Sequence, residues 1–185
     1  AVESRPDYRL RRSWGRKAFS LHSIFVLLVS VVFMYIILNR FYEYRYVWVH
    51  TENDLGLGYM IAAFWAGQEG SLLFWLLCQA VFGLLLIRFS RQWEAPVMSI
   101  IALSQIFMTA TVLGWQIGPL GIGMNPFLLL RESAENAGNE FFQNPHYLHM
   151  IADGNGLNPL LRNFWMMSHP PFTFIGYAAL LLPFA

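Results

Sequence analysis

The run FSLHSIFVLLVSVVFMYIIL, Phe19–Leu38, is twenty residues long and contains no Lys, Arg, Asp or Glu. A helix needs about 20 such residues to cross roughly 30 Å of hydrocarbon. Three further blocks repeat the pattern. Tyr59 to Ile87 carries one formal charge, Glu69, and Ala95 to Ile117 and Phe164 to Ala185 carry none. The second block would be roughly 43 Å long as one helix, more than a bilayer core. It must therefore tilt, start in the interface or break, and Gly67 and Gly70 around Glu69 mark the place for a break. The expected fold is an all-α integral membrane protein with about four transmembrane helices.

Composition agrees. Of 185 residues, 56% are apolar and 12% charged, about half the charge of a typical soluble domain. The single cysteine, Cys78, excludes an internal disulfide or a cysteine-pair metal site and reads as a small core side chain. There is no CxxCH, so the chain is not itself a c-type cytochrome. Phosphate-loop, GxSxG and HExxH motifs are also missing.

The charges give the order along the chain. Residues 1–18, with Arg5, Arg9, Arg11, Arg12, Arg16 and Lys17, form a basic leader. Arg88 and Arg91 lie between the second and third spans. Most of the basic residues thus share one side, which the positive-inside rule makes cytoplasmic. The leader reads as a topology signal and an anionic-lipid contact, with no nucleic-acid partner. Residues 19–117 hold three transmembrane helices, at about 19–38, 59–87 and 95–117. Residues 118–163 form a long outer-face (periplasmic) loop segment before the last helix. Its Gly118-Pro119, Asn125-Pro126 and Asn158-Pro159 dipeptides mark turns, and its aromatics indicate packing against a neighbour or the membrane. Residues 164–185 begin a fourth span that is expected to be cut short. By this orientation His22 lies at the cytoplasmic end, and His50, His146, His149 and His169 lie on the outer side.

Two residues stand out chemically. His169 precedes Pro170-Pro171; proline favours the first turn of a helix and biases its predecessor away from helical geometry. His169 is therefore expected where an irregular segment enters the fourth span. Neutral imidazole is a common axial ligand of haem iron; the other reading is an interfacial histidine bonded to a carbonyl. Glu69 is the single formal charge within a span, and such residues usually face a cavity or a partner; the other reading is an interfacial glutamate at a helix break. The aromatics near the outer face, Trp65 and Trp165 among them, read either as an interfacial belt or as a platform for a flat ligand.

The chain resembles a known family. Trp65-Ala66-Gly67-Gln68-Glu69-Gly70-Ser71-Leu72-Leu73-Phe74-Trp75 resembles the W-x-G-x-E-G-S-L-L-x-W run of the CcmF-type cytochrome c haem lyases. Asp153-Gly154-Asn155-Gly156-Leu157-Asn158-Pro159-Leu160-Leu161-Arg162-Asn163, Trp165-Met166, His169-Pro170-Pro171 and Gly176-Tyr177 together resemble a second, longer family motif. Tyr46 to Trp48, Trp93 to Met98 and Asn125 to Glu132 look like Bacteroidetes-type versions. The likeness runs from about residue 20 to 185, the N-terminal portion of the family.

The resemblance implies a multi-pass protein of the bacterial inner membrane, active on its periplasmic side. It implies a lyase that attaches haem covalently to the CxxCH thiols of apocytochrome c. Haem b is the substrate, handed over by a haem-carrier chaperone, and other cytochrome c maturation membrane subunits are partners. His169 would be one axial ligand to the iron, with Trp165, Asn158, Pro170, Glu69 and Trp65 around the haem. The second outer ligand, the Trp-rich motif and the ligands of a second, resident haem would lie outside residues 1–185. This stretch alone is then expected to be inactive. Two other readings stay open: a transport subunit using Glu69 as an intramembrane carboxylate, and a structural subunit of a respiratory complex that binds quinone or lipid.

Overall fold

A computed structural model describes residues 6–90, 93–117, 120–136 and 138–184. Arg5, Arg91, the Gly118-Pro119 turn and Ala185, used above, lie outside the described residues. The chain is a helical membrane protein. In order it forms α1 (Pro6–Leu38), α2 (Arg45–His50), α3 (Leu57–Ala63), α4 (Gln68–Phe89) and α5 (Glu94–Leu113). Then come the strands β1 (Trp115–Ile117) and β2 (Leu120–Ile122), the short helices α6 (Glu140–Gln143) and α7 (Tyr147–Met150), and α8 (Phe164–Leu180).

Among the described residues three helices are long and apolar enough to cross a membrane, at Leu10–Leu38, Gln68–Phe89 and Glu94–Leu113. The fourth expected span, α8, has 17 residues. Several boundaries differ from those read in the sequence. α1 continues back through the basic leader, so His22 sits near its middle and not at its end. The 59–87 stretch is two helices, α3 and α4, parted at 64–67. α5 stops at Gly114, whose φ of 65° a side chain would strain, and the residues expected to finish the span form the antiparallel β1–β2 hairpin.

α4 is the central helix and packs against α1, α5 and α8. A Cβ on its Gly83 would lie 2.3 Å from Phe19 Cζ, so glycine lets α1 lie close. Against α8, Trp75 meets Tyr177 with ring centroids 5.6 Å apart. Midway along the bundle, polar side chains partner one another. His22 Nε2 lies 2.7 Å from Gln105 Oε1, and the Gln105 amide donates to the Leu76 carbonyl at 3.1 Å. Such pairing removes the cost of polar groups in hydrocarbon.

The two ends of the bundle are fastened differently. At one end Arg12 Nε donates to Glu94 Oε2 at 2.9 Å and Arg16 Nη2 donates to the same oxygen at 2.6 Å. This ties the start of α1 to the start of α5. At the other end lies the main core, where buried Phe33 meets Tyr46, Phe64 and Phe127 at centroid distances of 4.9, 5.1 and 5.8 Å.

Candidate functional site

The site begins with the break between α3 and α4. The buried Tyr46 hydroxyl accepts from the Gly67 N–H at 2.9 Å and faces the carbonyls of Ala63 and Phe64 at 3.0 and 3.1 Å. One phenol thus bridges backbone groups on the two sides of the break. Burial pushes the pKa of that phenol well above its usual value, so it stays protonated. Glycine is required beside it: a Cβ on Gly70 would fall 1.7 Å from the Phe64 oxygen, and one on Gly67 2.7 Å from His50 Cε1.

Glu69 lies in the first turn of α4, where the helix dipole favours a carboxylate. Its Oε1 is 3.7 Å from Arg45 Nη1, and Arg45 Nη2 donates to Glu135 at 2.7 Å. Of the two readings offered for Glu69, this geometry matches the glutamate at a helix break: the break brings it to the helix entry beside a counter-ion. His50 stacks on Tyr46 with centroids 4.2 Å apart, and its Nδ1 lies 2.9 Å from the Tyr46 carbonyl. Burial lowers its affinity for a proton, the dominant influence on it.

The second component is the strap at residues 152–163, which is bound to the 42–55 segment. Asp153 Oδ1 accepts from the Asn53 and Gly154 N–H groups at 2.7 Å each and from the Tyr42 hydroxyl at 3.1 Å. Desolvation opposes ionisation here, but these donors outweigh it and hold the carboxyl below its usual range. The Asn155 N–H donates to the Trp48 carbonyl at 2.7 Å, and the Gly156 N–H to Thr51 at 3.0 Å. Gly154 could carry no side chain, since its Cβ would lie 2.0 Å from the Thr51 oxygen. Arg162 pairs with Glu52 at 2.8 Å. The 152–163 strap is therefore held against its own chain.

The third component is α8. Asn163 caps it by accepting from the Trp165 N–H at 2.9 Å, so the helix starts at Phe164. The expectation that His169 sits in an irregular entry is corrected: His169, Pro170 and Pro171 are all inside α8. Proline removes the hydrogen bond that its nitrogen would donate four residues back. Pro171 leaves the Met167 carbonyl without that partner, and the Trp65 indole N–H donates to it at 3.0 Å. Trp65 and the proline pair are joined in this way.

His169 is exposed. Its Nε2 is 3.2 Å from Thr173 Oγ1, and that hydroxyl donates to the His169 carbonyl at 3.0 Å. Trp165, one turn before, and Phe172, nearly one turn after, are 76% and 74% exposed. Spacings of four and three residues put all three on one helix face. Among the described residues no group of three His, Cys, Asp or Glu is placed to hold a metal ion. The face instead offers one imidazole between two flat apolar rings, which suits a porphyrin iron that brings four in-plane nitrogens and needs an axial donor. Asn158 is not directed to this face; its side chain accepts from the Leu160 N–H at 3.0 Å and caps a 3-10 turn. Phe172 and Thr173 are additions to the residues singled out in the sequence. Phe172 is legible only once the helix is known to run through both prolines.

Comparison with known proteins agrees with these motifs. The cytochrome c-type biogenesis protein CcmF of Pseudomonas fluorescens is 31% identical over 173 residues, 93% of this chain and 22% of that protein. The biogenesis protein NrfE of Haemophilus influenzae is 28% identical over 76% of this chain and 19% of its own length. The biogenesis protein ccl1 of Rhodobacter capsulatus is 25% identical over 85% and 21%. The chain thus spans about a fifth of the length of these relatives. No solved structure matches it. The model of the family described as cytochrome C assembly protein matches residues 65–185, which include the helix break, the strap and the whole of the His169 face; the chain belongs to that family and is of the CcmF type.

Proposed function

We propose that this chain forms part of a haem lyase that joins haem to apocytochrome c at the periplasmic face of the bacterial inner membrane. His169 supplies one axial ligand to the iron of haem b, the substrate, and Trp165 and Phe172 flank the porphyrin. A haem-carrier chaperone, the CxxCH segment of apocytochrome c and other maturation subunits are the partners. A second, resident haem would be ligated elsewhere in the full-length protein. The observation that carries this reading is the exposed imidazole of His169 between two exposed aromatic rings on a helix fastened by Trp65. Holding the haem in one orientation would set its vinyl groups toward the incoming thiols, and positioning of that kind lowers a barrier by several kcal/mol.

The transport reading draws no support from Glu69, which pairs with Arg45 at the entry of α4. The test is His169→Ala in the full-length gene, with membrane levels of the protein monitored. Loss of holocytochrome c at unchanged protein level is expected. Normal holocytochrome c in that strain overturns the assignment.

A further inference from the structure

Away from the His169 face, α1 and α5 both pack on α4 and leave a groove between themselves. It consists of two cavities of about 490 and 550 Å³ that share Gly15, Phe19 and Ala102. The walls are apolar over most of their length, with Ala18, Ile106 and Leu113 continuing it toward the β1–β2 hairpin. His22 and Gln105, also on the wall, are bonded to each other. At the other end the mouth is basic. Arg11, Arg12 and Arg16 line it with one carboxylate, Glu94. Arg12 and Arg16 both bind that carboxylate; Arg16 remains about half exposed, and exposed Arg11 stands beside it at the mouth. Lys17 lies 5.5 Å from the centroid of the exposed Trp14 ring, an arrangement suited to a membrane interface.

We propose that this groove is a binding site for an anionic phospholipid. The phosphate sits at the mouth on Arg11 and Arg16, and an acyl chain runs along Gly15, Phe19 and Ala102. Charge complementarity selects this occupant, because basic pockets between membrane helices bind acidic head groups. A second copy of the chain is disfavoured on the same ground: copies in one membrane share an orientation, so their arginine clusters would meet. Gly15 lines both cavities, and a side chain there would enter open space, with nothing within 4 Å of its Cβ.

Native mass spectrometry of the purified full chain with phosphatidylglycerol or phosphatidylcholine tests the site. The wild type should retain phosphatidylglycerol preferentially. Arg11→Gln should lower that retention about fivefold, the worth of one basic side chain near an anionic surface. Gly15→Leu, which fills the groove from open space, should abolish it while leaving helix content and thermal midpoint in lipid-free detergent unchanged. Equal retention of the two lipids overturns the proposal, as does undiminished retention by Gly15→Leu. A wild-type dimer that Gly15→Leu dissociates would assign the groove to a second copy and overturn it as well.

Discussion

The indole N–H of Trp65 reaches across 102 residues of sequence to the carbonyl of Met167, the acceptor that Pro171 leaves vacant. A proline inside a helix removes a hydrogen bond and strains the preceding turn, and Trp65 restores the missing donor from another helix. Trp65→Phe should therefore destabilise the protein by about 1 kcal/mol. In a Pro171→Ala background, where residue 171 regains its own N–H, the same change should cost markedly less. Thermal unfolding of the four proteins in detergent gives the coupling; equal costs in both backgrounds would refute the pairing.

Gly70 is the tightest point of the α3–α4 break. Gly70→Ala should cost about 3 kcal/mol or more, because the new carbon cannot avoid a backbone oxygen. Gly56→Ala, where a Cβ meets nothing within 4 Å, should be nearly neutral. Yield of monodisperse protein and thermal midpoint would separate the two.

His50 should make stability depend on pH. Burial lowers its folded-state pKa below the 6.5 of an ordinary imidazole, so under mildly acidic conditions the unfolded chain binds the proton first. The His50 contribution is complete above 6.5 and is lost as pH falls toward the lowered folded value. Unfolding midpoints measured across that window should fall for the wild type and flatten for His50→Gln. A slope that survives in His50→Gln must come from another group.

Trp165 and Phe172 are mostly exposed, so replacing them should leave the fold intact. Trp165→Ala and Phe172→Ala in the full-length protein should each weaken haem binding about fivefold, the worth of one aromatic contact. Haem titration followed by absorbance measures this. Trp165→Phe should keep most of the affinity if a flat apolar ring is what the position needs.

The membrane character and the central spans were readable from charge-free runs, because the bilayer imposes length and polarity on any crossing helix. A break near Glu69 was readable too, from excess length and paired glycines, and it falls just before it, at 64–67. The start of α8 was not. Pro170 and Pro171 argue locally for a helix beginning there, and the Asn163 cap and Trp65 override them through contacts that only tertiary structure supplies. The leader's helix was hidden for a similar reason, since its charge pattern speaks of an interface while Glu94 lies 78 and 82 positions away from its partners. Within the candidate site, His169 and Trp165 were named from the sequence, and the structure sets them one turn apart in α8. Phe172 was missed because its relation to His169 exists only in a helix that continues through the prolines.

The clamp on Glu94 also has a history during synthesis. Arg12 and Arg16 leave the ribosome about eighty residues ahead of the carboxylate that will hold them. At ~5–20 residues per second, that interval is several seconds or more. Throughout it the two cations are present without that carboxylate, and basic residues beside a span are the ones that resist translocation. When α5 arrives, the same guanidinium groups close on Glu94, so side chains of the kind that biases helix orientation also fasten α1 to α5.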